Sequence, residues 1–245
     1  MKRLLLLLAA LGLAGPALAD HPAECTVARP LLEHNFPLPR VATAVAARKL
    51  SVLVLGAGSS ILPGIAGAKK AFPARLQNAL SEALPGVAVT VATDVKARRT
   101  AAAMLRSMPK ALATTKPQLV IWQTGTVDAM QAVDPDKFSD ALEAGIALAG
   151  KAGADVILVN AQYSPRTESM IALSTYTEDI RWVALQHDVP LFDRFAIMKL
   201  WADLGTFDFM GARNKLDTAQ RVHDCIGRLL ADLVTGTVKP GRAAD

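Results

Sequence analysis

Five short apolar runs, each followed by a stretch with helical spacing, constrain this chain more than any other feature. The runs fall at 52–55, 87–92, 119–123, 156–159 and 189–192. They are nearly continuously apolar, as strands buried on both faces are, and the segments between them supply the covering helices. Phe72, Leu76, Leu80 and Leu84 recur every four residues until Pro85-Gly86 stops them. An Ala-rich helix is expected over 100–113, kinked at Pro109. Asp134 followed by Pro135 starts another that runs to Lys151, with Gly153 after it. A long helix is expected over 168–186, and closing helices over 195–204 and 217–234. Strands alternating with helices imply a doubly wound, three-layer α/β/α domain around a five-stranded parallel sheet. No repeat or low-complexity tract divides it. We expect one domain over 51–234, an N-terminal arm over 20–50 and a flexible polar tail over 235–245.

The first residues bear on compartment. Lys2 and Arg3 precede an apolar run over 4–13, and Ala17-Leu18-Ala19 fits a small-x-small cleavage site. The run is short for a bilayer span and is broken by Gly15-Pro16. A signal peptide over 1–19 and export to the periplasm or the medium are therefore expected, with no integral membrane segment after cleavage. The formal charge of +5 includes Lys2 and Arg3. The remaining mild excess is spread out, and the densest cluster, Lys96-Ala97-Arg98-Arg99, has no interleaved aromatics, so nucleic acid is not an expected partner. Cys25 and Cys225 are the two cysteines. In an exported chain such a pair invites a disulfide, two separate buried thiols being the alternative. No Cys, His and carboxylate group has metal-ligand spacing, and no metal or other cofactor is expected. His21 and His34 sit in the N-terminal arm, and His187 ends a helix.

Gly56-Ala57-Gly58-Ser59-Ser60-Ile61 follows the first strand and must be tested as a nucleotide loop. A dinucleotide fingerprint needs glycine where Ile61 stands and an acid at the end of the second strand, where Ala92-Thr93 stands. A P-loop needs Gly-Lys-Ser/Thr, which this turn lacks.

Gln118-Leu-Val-Ile-Trp-Gln-Thr-Gly-Thr-Val-Asp-Ala129 reads as a buried strand ending at a glycine turn, where open α/β sheets place their chemistry. This segment, the turn after the first strand, Gln162-Tyr163-Ser164-Pro165-Arg166 and the closing helix together resemble the SGNH/GDSL-type hydrolases over most of the chain. The resemblance implies the flavodoxin-like SGNH hydrolase fold and ester hydrolysis by a serine nucleophile. It also implies a Gly and an Asn that help hold the oxyanion, and an Asp-x-x-His before the last helix.

Placed on this sequence, those blocks are altered. If Gly56 opens the first block, Gly58 stands where the nucleophile belongs; the usual ending of the strand at that glycine favours this register. If Gly58 opens it, Ser60 is the candidate nucleophile, with Ser59 beside it. The loop 93–99 has no glycine. In Gly125-Thr126-Val127-Asp128, Val127 stands for the Asn. Asn214 and Asp217 stand for the Asp and His, and Asp217 with Gln220 also reads as a capping box that starts the last helix. His223 is the alternative base.

Three readings follow. The first is an exported pseudo-hydrolase whose cleft, rimmed by Thr124, Thr126, Asp128, Gln162 and Tyr163, binds an acylated carbohydrate or small ester. The second is a working esterase with Ser60 as nucleophile, His223 as base and Asp217 or Asp128 orienting it. The third is a structural envelope protein whose cleft is filled by side chains.

Overall fold

The computed structural model describes residues 22–33, 35–211 and 215–238. The expected signal peptide, His21, His34, Asn214 and the end of the expected tail lie outside them. The elements run α1 (Pro39–Ala46), β1 (Lys49–Gly56), α2 (Gly67–Lys70), α3 (Phe72–Ala83), β2 (Ala88–Val95), α4 (Ala101–Thr115), β3 (Leu119–Gln123) and α5 (Thr126–Met130). Then follow α6 (Pro135–Lys151), β4 (Asp155–Val159), α7 (Pro165–Met170), α8 (Leu173–Gln186), β5 (Leu191–Phe192), α9 (Arg194–Asp203) and α10 (Lys215–Gly236). The five strands form one sheet in the order β2-β1-β3-β4-β5, and every pairing is parallel. Chain order reverses direction between β1 and β3, so a crevice is expected outside their C-terminal ends.

The period-2 alternation of the strands divides the core. Val52, Val54, Ile121, Ile157 and Val159 pack with Leu76, Leu80, Trp201, Ile226 and Leu230, on the side of α3, α9 and α10. Leu53, Leu55, Val120, Trp122 and Leu158 pack with Met104, Met108, Phe138, Leu142 and Ile180, on the side of α4, α6 and α8. Gln123 continues the first series at the end of β3, which turns its side chain to the α3/α10 side.

Local chemistry explains most helix starts. Thr100 caps α4 by accepting from the Ala103 N–H at 3.2 Å, and Asp134 caps α6 by accepting from the Lys137 N–H at 3.2 Å. Pro109 lies within α4 without ending it. The expected helix over 168–186 is two helices. Ser164 caps α7, Ile171 is extended, and α8 begins at Leu173. No residue of α7 is buried, whereas Leu173, Tyr176 and Ile180 anchor α8, so nothing holds the two on one axis. The expected capping box is not made. α10 begins at Lys215, Asp217 is exposed in its first turn, and Gln220 accepts from Lys70 Nζ at 3.0 Å. Among the described residues no helix is long and apolar enough to cross a membrane.

Cys25 and Cys225 form a disulfide that joins the start of the described chain to the middle of α10. Glu24 pairs with Arg221, and Trp201 Nε1 donates to the Thr26 carbonyl at 3.2 Å, which fixes the same segment. α10 lies tightly on α3. A Cβ at Gly227 would come within 2.8 Å of the Leu76 nitrogen and 2.9 Å of the Arg75 carbonyl carbon. These are backbone atoms that cannot move alone, so Gly227→Ala is expected to cost about 1–3 kcal/mol by overpacking. Chemical denaturation checks this; an unchanged midpoint would mean that the two helices slide apart freely.

Candidate functional site

Loops from all five strands meet at the C-terminal edge of the sheet. β1 ends at Gly56, and the chain makes a single 3-10 turn over Gly58–Ser60. Ser60 is fully buried, and its hydroxyl donates to Gln123 Oε1 at 2.6 Å. Ser59 donates to the same oxygen at 3.0 Å. Ser60 also packs directly on Gly56, where an added Cβ would lie 2.2 Å from its Oγ. Gly58 is exposed, and a Cβ built there would meet only Ala97 at 4.0 Å. The strand thus ends at Gly56, and the open position of the turn is Gly58.

The loop after β2 is tied down by its own side chains. Arg99 pairs with Asp94 at 2.8 Å and donates to Ser107 at 2.7 Å, while Ser107 donates to Asp94 at 2.8 Å. These contacts hold Asp94 below the usual carboxylate range despite the opposing effect of burial. They leave Lys96, Ala97 and Arg98 exposed, with Ala97 next to Gly58.

The wall after β3 is built around Asp128. Gly125 takes φ +98°, which glycine accepts readily, and opens α5. The Asp128 carboxylate accepts from the Ala101 N–H at 2.8 Å, from the Thr124 hydroxyl at 3.2 Å and from the Gly125 N–H at 3.3 Å. It thereby joins the first turns of α4 and α5, and burial raises its pKa despite these donors. No hydrogen bond joins it to His223. Thr124 is buried, Thr126 and Val127 are half-buried, and the Thr126 hydroxyl oxygen has no partner.

His223 is buried on α10, with Nδ1 accepting the Phe72 N–H at 2.9 Å. That N–H belongs to the first turn of α3 and has no partner within its own helix. The imidazole is therefore a helix cap. Burial, reinforced by the Arg194 charge, pushes its pKa down to about 3. No hydrogen bond joins it to Ser60. Asp217, six residues earlier, is exposed on the same helix. Ser60, His223 and Asp217 thus lie on separate hydrogen-bonding partners or in solvent.

A family model described as the Non-GDSL lipase-like family matches residues 24–240. The chain belongs to this family. No curated protein sequence is similar to it. Among solved structures, this Non-GDSL lipase-like chain is similar to a lipase/acylhydrolase from Enterococcus faecalis (18% identity, TM-score 0.60, covering 79% of this chain and 100% of that one). It is also similar to an acetylxylan esterase from Geobacillus stearothermophilus (15%, 0.60, 76% and 94%) and to TesA (23%, 0.57, 75% and 99%). At these identities the likeness establishes the fold, which is that of the SGNH/GDSL hydrolases.

Two residues of the Non-GDSL lipase-like site were not expected from the sequence. Gln123 is the acceptor for both serines. Arg194, the first residue of α9, is 1% exposed, and burial lowers its pKa to about 10. Its Nη1 donates to the Ser59 carbonyl at 3.0 Å and its Nη2 reaches Gln162 Oε1 at 3.5 Å. Each had a faint signal: a glutamine closing an otherwise apolar strand, and an arginine two residues past the last strand. Gln162 is half-buried above Arg194. Tyr163, expected on the rim, is buried in the core; it meets Phe195 edge-to-face and carries Lys199 over its ring. Its side chain continues the apolar layer, so burial raises its pKa.

Proposed function

We propose that this is an exported, non-catalytic member of its family that uses the crevice at the sheet edge to bind an acylated carbohydrate or a small ester. The observation that carries the reading is the separate commitment of the groups a serine hydrolase must bring together. The Ser59 and Ser60 hydroxyls donate to Gln123, while His223 accepts from the Phe72 backbone. A general base must reach the proton that it removes, and an imidazole whose pKa is about 3 is a poor acceptor at neutral pH. The acetylxylan esterase among the structural neighbours favours an acylated glycan as the ligand class. The leader-like residues 1–19 and the Cys25–Cys225 disulfide favour export.

Incubation of the purified chain with a fluorophosphonate probe, beside S59A and S60A, tests the loss of acyl transfer. No labelling of folded protein is expected, with an active SGNH esterase as the positive control. Labelling that disappears in one variant would establish an activated serine and overturn the reading.

A further inference from the structure

We propose that the buried donor cluster beneath Ser59 receives an oxyanion, the carboxylate or phosphate group of a polar ligand. The argument starts from a mismatch between donors and acceptors. Arg194 is almost fully buried, yet no carboxylate among the described residues pairs with it. Its Nη1 is fixed on the Ser59 carbonyl. Its Nε has no partner, and its Nη2 has only the 3.5 Å contact with Gln162. Nε and Nη2 form one edge of the guanidinium, the edge that takes a carboxylate or phosphate side-on through two parallel N–H bonds.

A second unmet donor lies in the same cluster. Gln123 is fully buried, its Oε1 accepts both serine hydroxyls, and its Nε2 has no partner. Ser59 holds the two donors together, with its hydroxyl on Gln123 and its carbonyl on Arg194. His223 offers no counter-charge: it is held neutral by burial, and protonation would only add a second cation beside Arg194. The nearby acids are engaged elsewhere: Asp94 with Arg99, Asp128 with the starts of α4 and α5, and Asp193 with Arg181, Asn160 and the Ala196 N–H. Buried cations without a counter-charge and buried unpaired donors both destabilise a fold. An oxyanion answers both deficits, whereas a neutral carbonyl answers only the second. Gln162, half-buried and held by the weakest contact of the set, is the movable cover, and exposed Lys96 and Arg98 lie on the loop next to Ser59's turn.

This inference stands on the donor count and not on the loss of the nucleophile, so the two can fail separately. Fluorophosphonate labelling would remove the loss of acyl transfer and leave the anion site intact. The test is thermal denaturation of the full chain in acetate, glucuronate or inorganic phosphate, against chloride at equal ionic strength and against glucose. A saturable rise in Tm with the carboxylates alone points to an acidic ligand such as a uronate, and a rise with phosphate alone points to a phosphorylated one; either supports the site. R194M should abolish the rise and, freed of a buried charge, melt no lower than the parent in chloride. The Arg194 Nε–H resonance of the unaltered protein, followed by 15N NMR, should shift with the same saturation, and it decides the matter if R194M does not fold. Equal Tm in every salt with a stationary Nε–H signal, or a response retained by R194M, would overturn the proposal.

Discussion

Lowering the pH from 7 to 4 is expected to remove about 3 kcal/mol of stability through His223 alone, at about 1.4 kcal/mol per pKa unit. The unfolded imidazole takes up its proton near 6.5, and the folded one only near 3. Between these values the unfolded state binds more protons, so stability is complete above pH 6.5 and is lost as pH falls through the window. The cause is local: burial disfavours the charged imidazolium, and Arg194 opposes a second positive charge nearby. Asp128 and Asp155, whose pKa values are raised by burial, bind protons in the folded state and work in the opposite direction. The informative quantity is therefore the difference between two proteins. His223→Asn keeps an acceptor for Phe72 and cannot titrate. Urea unfolding of both at pH 7 and pH 4 should show a flatter dependence for the variant. Equal slopes would mean that His223 is not buried neutral in solution.

Removing the Cys25–Cys225 link is expected to cost about 5 kcal/mol in the chain-entropy model, because it closes a loop across a sequence separation of 200 residues. The link is the covalent part of a wider attachment that includes Glu24 with Arg221 and Trp201 with the Thr26 carbonyl. Guanidinium unfolding with and without reductant, beside the double variant C25S/C225S, measures the cost. A loss below about 1 kcal/mol would mean that the N-terminal segment detaches without disturbing the core.

The sheet was legible because parallel strands covered on both faces must be apolar at every position, as Leu119–Gln123 and Asp155–Val159 nearly are. α6 was legible from Asp134 and Pro135. α1 was not: Pro39–Ala46 is a short run of small residues, and its helical state depends on burying Val41 and Ala44. The break between α7 and α8 was equally hidden, since it depends on Leu173 finding the core while Met170 does not. The site divides along the same line. Ser59, Ser60, Gln162 and His223 could be chosen by residue type and position. What each one does is set by partners brought from far along the chain, Gln123 at 63 residues from Ser60, Arg194 at 135 from Ser59 and Phe72 at 151 from His223. No local pattern encodes those pairings.

The position of α10 bears on how the molecule is made. A nascent chain that has emerged only as far as α9 already contains all five strands and α3. It still lacks Ile226, Leu229, Leu230 and Leu233, so the inner face of α3 and the part of the core that α10 covers stay wet. The Phe72 amide has no cap and Cys25 no thiol to meet. Such an intermediate offers a broad apolar surface until α10 docks. Docking of α10 is thus the step that closes this part of the core, and a chain in which it is delayed is exposed to aggregation.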